Sequence, residues 1–346
     1  MTTPFDPEPS PEFNAQCTAI MDSWEKGDLS FRDSVAQLDA LRNQAAQDHH
    51  PANQGRVELI LGVIQGYRAN LDASITHFER ARMYFEQAGN RRRAIGAILN
   101  LGESYRWKGS FARARQYFRA AFDGAEAVGD RYTQGLSALN EGQMLLSMEQ
   151  PESARRSIET ARELIASMET SDAQREDLLS EASVALSQVY LLTGDLQQAW
   201  SNICDGMRRA LVIAQPLQVG TAHRKMGEVL TALANATPEV SDFSTDPDEH
   251  FRAATEAFQE IKAEGELART MYAHALSLAK RGRGMTAARK MQQAMIIFTR
   301  LGMNDDAAKA ARAQIDVLAR ATSTVETIKI IDPDNPGQGD PTAAAT

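Results

Sequence analysis

The sequence predicts an all-α solenoid of about seven helical hairpins closed by one C-terminal helix. Three observations predict it. The first is a skeleton that returns at a fixed distance. Leu101-Gly102 and Tyr105 are followed by Gly109, Ala114, Phe118 and Ala121, and a shift of 40 residues upstream lands on Leu61-Gly62, Ala69, Ser74, Phe78 and Ala81. The same shift downstream lands on Glu141-Gly142, Leu145, Glu149, Ala154, Ile158 and Ala161. Self-similarity at a period of roughly 20 to 50 residues marks stacked repeats. The second observation is that three small positions stay in phase: Gly62, Gly102, Gly142, Ser187, Gly227 and Ala275; Ser74, Ala114, Ala154, Ala199 and Ala287; Ala81, Ala121, Ala161, Gly206, Ala254 and Ala294. Between the last two runs a large one: Phe78, Phe118, Ile158, Ile203, Phe251 and Met291. A bulky residue set against a small one is how one helix seats its ridges in another's grooves. The third is where the period stretches. The first small positions are spaced 40, 40, 45, 40 and 48 residues apart. The extra residues fall in two polar segments, 167–176 between hairpins and 235–248 inside one, as insertions in repeat arrays do.

Taken in order, residues 1–11 hold four prolines and no apolar period, and are expected to be a disordered lead-in. Residues 12–50 read as a degenerate terminal hairpin. Phe13, Cys17, Ile20 and Trp24 share a helical face, Gly27-Asp28 breaks it, and Phe31, Val35, Leu38 and Leu41 form the next. Pro51 opens the regular array, 51–302. Glycines at 89, 129 and 302 supply left-handed helix stops, and His49-His50 before Pro51 reads as another stop. Residues 303–320 are polar with Ala307, Ala308 and Ala311 on one face, a capping helix. Residues 321–346 form an extended or disordered tail; Thr324–Ile331 alternates like a strand, and the prolines beyond it forbid helix.

Composition removes several classes of function. A net charge of −9 argues against a sequence-independent nucleic-acid binder, which needs a basic face. Arg91-Arg92-Arg93 reads as a solvated first helical turn. No apolar run approaches the ~20 residues that span a bilayer, and the amino end lacks a secretory pattern, so membrane insertion is not expected and a cytoplasmic location is. Cys17 and Cys204 share no context that suggests a disulfide or metal site. The six histidines (His49, His50, His77, His223, His250, His274) show no ligand spacing, and no phosphate loop, nucleophile elbow or zinc-protease motif is present. The expectation is a non-enzyme without metal, catalytic residues or cofactor.

The pattern Leu101-Gly102-x2-Tyr105…Ala114-x3-Phe118-x2-Ala121 resembles the tetratricopeptide repeat (TPR), over about residues 51–302. The usual unit is shorter than the 40 residues seen here, and the longer form is similar to repeats of maltose-regulator-type signalling ATPases, kinesin light chains and polarity adaptors. Glu141 departs from the leucine, and Ser187 and Ala275 from the glycine, yet each remains a helix former or a small residue. The resemblance implies a right-handed α-α superhelix whose first helices line a concave groove. It also implies that inward residues lie two, three and six places before the first small position, and one, four and five after it. Those places hold Arg56 and Tyr67; Asn100, Glu103, Arg106 and Trp107; Asn140 and Gln143; Glu181 and Gln188; Arg224, Lys225 and Glu228; and Lys280. Asn100 and Asn140 match the family position whose amide clamps a bound peptide backbone; the structural alternative is a bond to a neighbouring helix. Trp107 is a stacking anchor or a turn-packing residue, and Arg224-Lys225 meets either a carboxylate of a ligand or Glu228.

The expected function is therefore a non-enzymatic adaptor or scaffold that binds a peptide segment of a protein partner in the groove, with no direct contact to nucleic acid. Two alternatives stand beside it. One is a ligand- or peptide-responsive regulatory sensor, with the 235–248 loop as a lid. The other is a structural subunit of a larger assembly.

Overall fold

The computed structural model describes residues 7–25, 28–68, 70–168, 172–236 and 242–325. Among these there are fifteen α-helices and no strand. They pair as seven hairpins: α1 (Pro11–Glu25) with α2 (Phe31–Gln47), α3 (Pro51–Tyr67) with α4 (Leu71–Ala88), α5 (Arg91–Trp107) with α6 (Phe111–Ala127), α7 (Arg131–Ser147) with α8 (Pro151–Ala166), α9 (Asp172–Thr193) with α10 (Leu196–Ile213), α11 (Pro216–Leu233) with α12 (Pro247–Glu260), and α13 (Glu264–Lys280) with α14 (Gly284–Arg300). α15 (Asn304–Val325) closes the array against α13 and α14. This is the expected α-α superhelix of seven hairpins and a capping helix.

The small-against-large pairing is the packing rule. A Cβ added to Gly62 would sit 2.6 Å from the Phe78 ring, one on Gly102 2.5 Å from Phe118, and one on Gly142 2.4 Å from Ile158. Only glycine lets those helices approach so closely. Seven residues along, two turns away, a second pairing repeats the device. Gly55 meets Phe85 and Gly220 meets Phe258 in the same way, and Ala268 pairs by position with Phe298, both fully buried. In the α5–α6 hairpin the sizes are exchanged: Ile95 is large where Gly55 is small, and it packs over Ala125 and Gly124. Total volume is kept, which is what a close-packed core requires.

Helix ends follow the residues expected of them. Gly89, Gly129 and Gly302 take φ of +78°, +68° and +72° at the turns after α4, α6 and α14. His49 is itself left-handed, and the His50 ring accepts the Asn53 N–H as the cap of α3. Asn90 and Asp130 cap α5 and α7 with their side chains.

Three expectations are revised. Residues 7–10 of the lead-in are fixed: the Ser10 N–H donates to Asn53, Asn90 donates to the Pro7 carbonyl and to Glu8, and Glu8 pairs with Arg93 at 2.7 Å. Pro9 is buried beneath this strap. The extra residues near 167–176 do not all go into the connection; α9 is lengthened to 22 residues against 17 for α5 and α7. α15 runs to Val325, past the expected end at 320, so Thr324 and Val325 are helical. The rest of the tail, including most of the predicted strand at 324–331, lies outside the described residues, as does 237–241 of the long insertion.

Two layers result. Successive odd-numbered helices from α5 to α15 touch one another directly, whereas the even-numbered helices reach only odd-numbered neighbours. The layer whose members converge is the inner, concave one, so the odd helices carry the groove.

Candidate functional site

All fourteen sequence-predicted groove residues lie on odd-numbered helices, but the structure uses them in three different ways. Some are consumed by the fold. Arg56 on α3 is covered by α1: it donates to Thr18 Oγ1 at 3.0 Å and lies beside Cys17. Burial lowers the Arg56 pKa, and burial pushes the Cys17 thiol up to about 11 despite that cation. Tyr67 stays half exposed at the end of α3 and packs on Trp24, ring centroids 5.6 Å apart. Arg224 is 8% exposed and ties α11 to α13 through Glu266 at 2.6 Å, with its guanidinium over the Phe258 ring.

Others are paired within their own helix. Arg106 forks onto both oxygens of Glu103 at 2.7–3.2 Å, and Lys225 reaches both oxygens of Glu228 at 3.0 and 3.1 Å. Such pairs are one-turn neighbours that satisfy each other in the absence of a ligand. Gln188 makes only a long contact, 3.4 Å, to Ser187.

The third group is less engaged by the fold. The carboxamides of Asn100 and Asn140 have no hydrogen-bond partner among the described residues; Asn140 is 7% exposed and Asn100 half-buried. Trp107 stands 43% exposed at the end of α5. Gln143 crosses from α7 to α9 and donates to Glu181 at 2.6 Å. Glu181 and Asp177 sit one turn apart on α9, and burial raises the pKa of both. Asp177 uses one oxygen toward Gln218 on α11, while its Oδ1 is buried without a partner.

Beyond this centre the groove deepens into a cleft of about 430 Å³ between α9, α11 and α13. Leu191, Tyr272, Ala273 and Leu276 form its apolar walls, and Lys225, Glu228, Arg269 and Lys280 stand at its polar edge. Arg269 is held by Glu266 at 2.5 Å and Asp306 at 3.2 Å. Although burial opposes charge on Glu266, the guanidiniums of Arg224 and Arg269 hold its pKa down at about 2. Lys280 is exposed and has no carboxylate partner among the described residues.

Sequence reasoning named Arg224, Lys225, Glu228 and Lys280 here but missed Leu191, Arg269, Tyr272, Ala273 and Leu276. These occupy the same inward rows, counted from Ser187 and Ala275, so the signal was present. The apolar side chains among them carry no polar signature in the sequence. Asp177 lies outside those rows and is brought in only by the lengthened α9. No described residue of the long insertion lines the cleft. Asp242 pairs with Arg208 on α10 and Phe243 packs into the core between α10 and α11, which gives no support to a lid.

No family model and no curated protein matches the sequence. Solved structures do resemble it. A Rap protein complexed with competence and sporulation factor is 12% identical, aligned over 84% of this chain and 81% of its own, with a TM-score of 0.59. The apo quorum sensor NprR from B. thuringiensis is 14% identical over 89% of this chain and 86% of its own, TM-score 0.54. A signal-transduction ATPase with a tetratricopeptide repeat sensor from Pyrococcus horikoshii is 12% identical over 90% of this chain and 49% of its own, TM-score 0.54. At such identities the likeness is one of fold. The chain folds as a TPR-like helical-repeat protein.

Proposed function

We propose that this chain is a non-enzymatic adaptor that binds a peptide segment of a partner protein along its concave groove. The observation that carries this reading is the pair Asn100 and Asn140, two carboxamides without a partner among the described residues, at matching places on successive inner helices. Each can donate and accept at once, which is what a peptide unit requires. Neighbouring helices lie about 10 Å apart, the length of about three extended residues, so the pair can hold one strand at two points. The exposed Trp107, two turns along α5 from Asn100, offers an aromatic anchor.

A second reading, a peptide-responsive sensor, is favoured by the neighbours themselves: one is a quorum sensor and another is complexed with a competence and sporulation factor. Selection from a pooled library of degenerate hexapeptides tests the shared core of both readings. The intact chain is expected to retain a subset, and Asn100→Ala with Asn140→Ala to lose it; retention unchanged by the double substitution contradicts the groove. Small-angle scattering then separates the two, because a sensor changes its radius on saturation with a retained peptide and an adaptor does not.

A further inference from the structure

The groove is not electrically uniform. On α9, Asp177 and Glu181 stand at one end with raised pKa values, and the orphaned Asp177 Oδ1 is a buried acceptor that lacks a donor. The neighbouring Glu103–Arg106 pair is internally neutral, so these two carboxylates set the local sign. At the other end, Leu191 of the same helix opens the apolar cleft, whose rim carries Lys280, without a carboxylate partner among the described residues, and Lys225, paired with Glu228. Arg224 and Arg269 are already engaged by Glu266. Glu181 and Leu191 are ten residues apart along the helix, about 15 Å; Asp177 lies a turn further out. An extended peptide covers that span with about five or six residues.

Resting on the second reading above, the peptide-responsive sensor, we propose that the groove is directional. It takes a short peptide with both ends free, the amino group against Asp177 and Glu181 and the terminal carboxylate against Lys280 and Lys225, with the last apolar side chain seated on Leu191, Tyr272 and Leu276. An ammonium supplies three donors, one of which satisfies Asp177 Oδ1. The carboxylate meets a lysine that has no other charge to neutralise it. The reverse orientation sets carboxylate against carboxylate and ammonium against ammonium, so it is selected against.

The test uses the full chain and the same degenerate hexapeptide pool, prepared with free ends, N-acetylated, C-amidated, or blocked at both ends. Retained peptides are resynthesised individually and their affinities measured by fluorescence anisotropy. Blocking either end is expected to weaken binding by about tenfold or more, as removal of one charge pair does. Lys280→Gln is expected to abolish the penalty for amidation while leaving the penalty for acetylation. Asp177→Asn with Glu181→Gln is expected to do the opposite, and Gln143 can still donate to the new carboxamide. Circular dichroism of each variant checks that the helices persist. If peptides are retained but blocked ends bind within about twofold of free ones, or if Lys280→Gln removes the acetylation penalty instead, directionality is overturned and the peptide groove stands. If no form of the pool is retained, both readings fall.

Discussion

Gly102 lies under the Phe118 ring with no room for a methyl group. Phe118 is 1% exposed and fixed on every side, so a Cβ only 2.5 Å away must push backbone apart. Overpacking of this kind costs about 1–3 kcal/mol, set against about 1 kcal/mol that alanine gains over glycine inside a helix. Gly96, on the same helix, has nothing within 4 Å of its would-be Cβ. Gly102→Ala is therefore expected to lower stability and Gly96→Ala to raise it by up to about 1 kcal/mol. Urea unfolding of the two variants checks the opposite signs, and a gain at Gly102 contradicts the packing account. This residue-scale rule was the most legible part of the sequence, because Gly62, Gly102 and Gly142 recur with Phe78, Phe118 and Ile158 at one offset. The second pairing was hidden at the same scale: Ile95 and Ala125 exchange large for small, so the pattern breaks in residue type while it holds in volume.

At the scale of elements, the joint between α11 and α12 carries an acid-sensitive contact. His250 Nε2 donates to the Ser244 carbonyl at 2.9 Å, which leaves Nδ1 as the acceptor of the His223 Nδ1–H at 2.9 Å. Both rings are thus neutral in the fold. Burial, and then the neighbouring ring, lowers the His223 pKa from 6.5 to about 4; burial lowers that of His250 as well. The unfolded chain takes up protons near pH 6.5 and the folded chain does not, so this joint's stability is whole above that pH and is lost as pH falls toward 4. Thermal melts across that window should show Tm falling in the intact chain and a smaller fall in His223→Asn; equal falls exclude the pair as the cause. The joint between α11 and α13 answers in a lower window. Glu266, held down at about 2, contributes stability above about pH 4.5 that is lost as pH drops toward 2. Arg224→Met, which removes one of its two guanidinium partners, is expected to destabilise by about 3 kcal/mol at pH 7 and to flatten the acid limb between pH 4.5 and 2. An unaltered acid limb would mean that Arg224 does not hold Glu266 charged. These joints were only partly legible. Arg224 was read as a groove residue because its row faces inward, yet Glu266 sits 42 residues away and turns it into a strut. The strap at 7–10 was invisible for the same reason: its anchors Asn53 and Asn90 also serve at the starts of α3 and α5, and composition alone marked the segment as loose.

Across the whole molecule, the main packing is between adjacent hairpins, so the array presents one continuous inner surface built from successive odd helices. Gly109, in the turn after α5, also lies close to Asp305 of α15. That surface passes from the Asn100 and Asn140 carboxamides, over the acidic pair on α9, into the apolar cleft between α9, α11 and α13. The repeat spacing in the sequence was enough to place the inner helices, because the rows are fixed by the packing of small against large. It was not enough to reveal the polarity of the groove, which depends on α9 gaining length and on side chains from α11 and α13 meeting over Leu191. Hydrogen–deuterium exchange of the full chain, with and without a peptide retained from the degenerate pool, tests the account most directly. Protection confined to α5, α7, α9, α11 and α13 is the predicted result; protection on the even-numbered helices, with the odd ones unchanged, would contradict it.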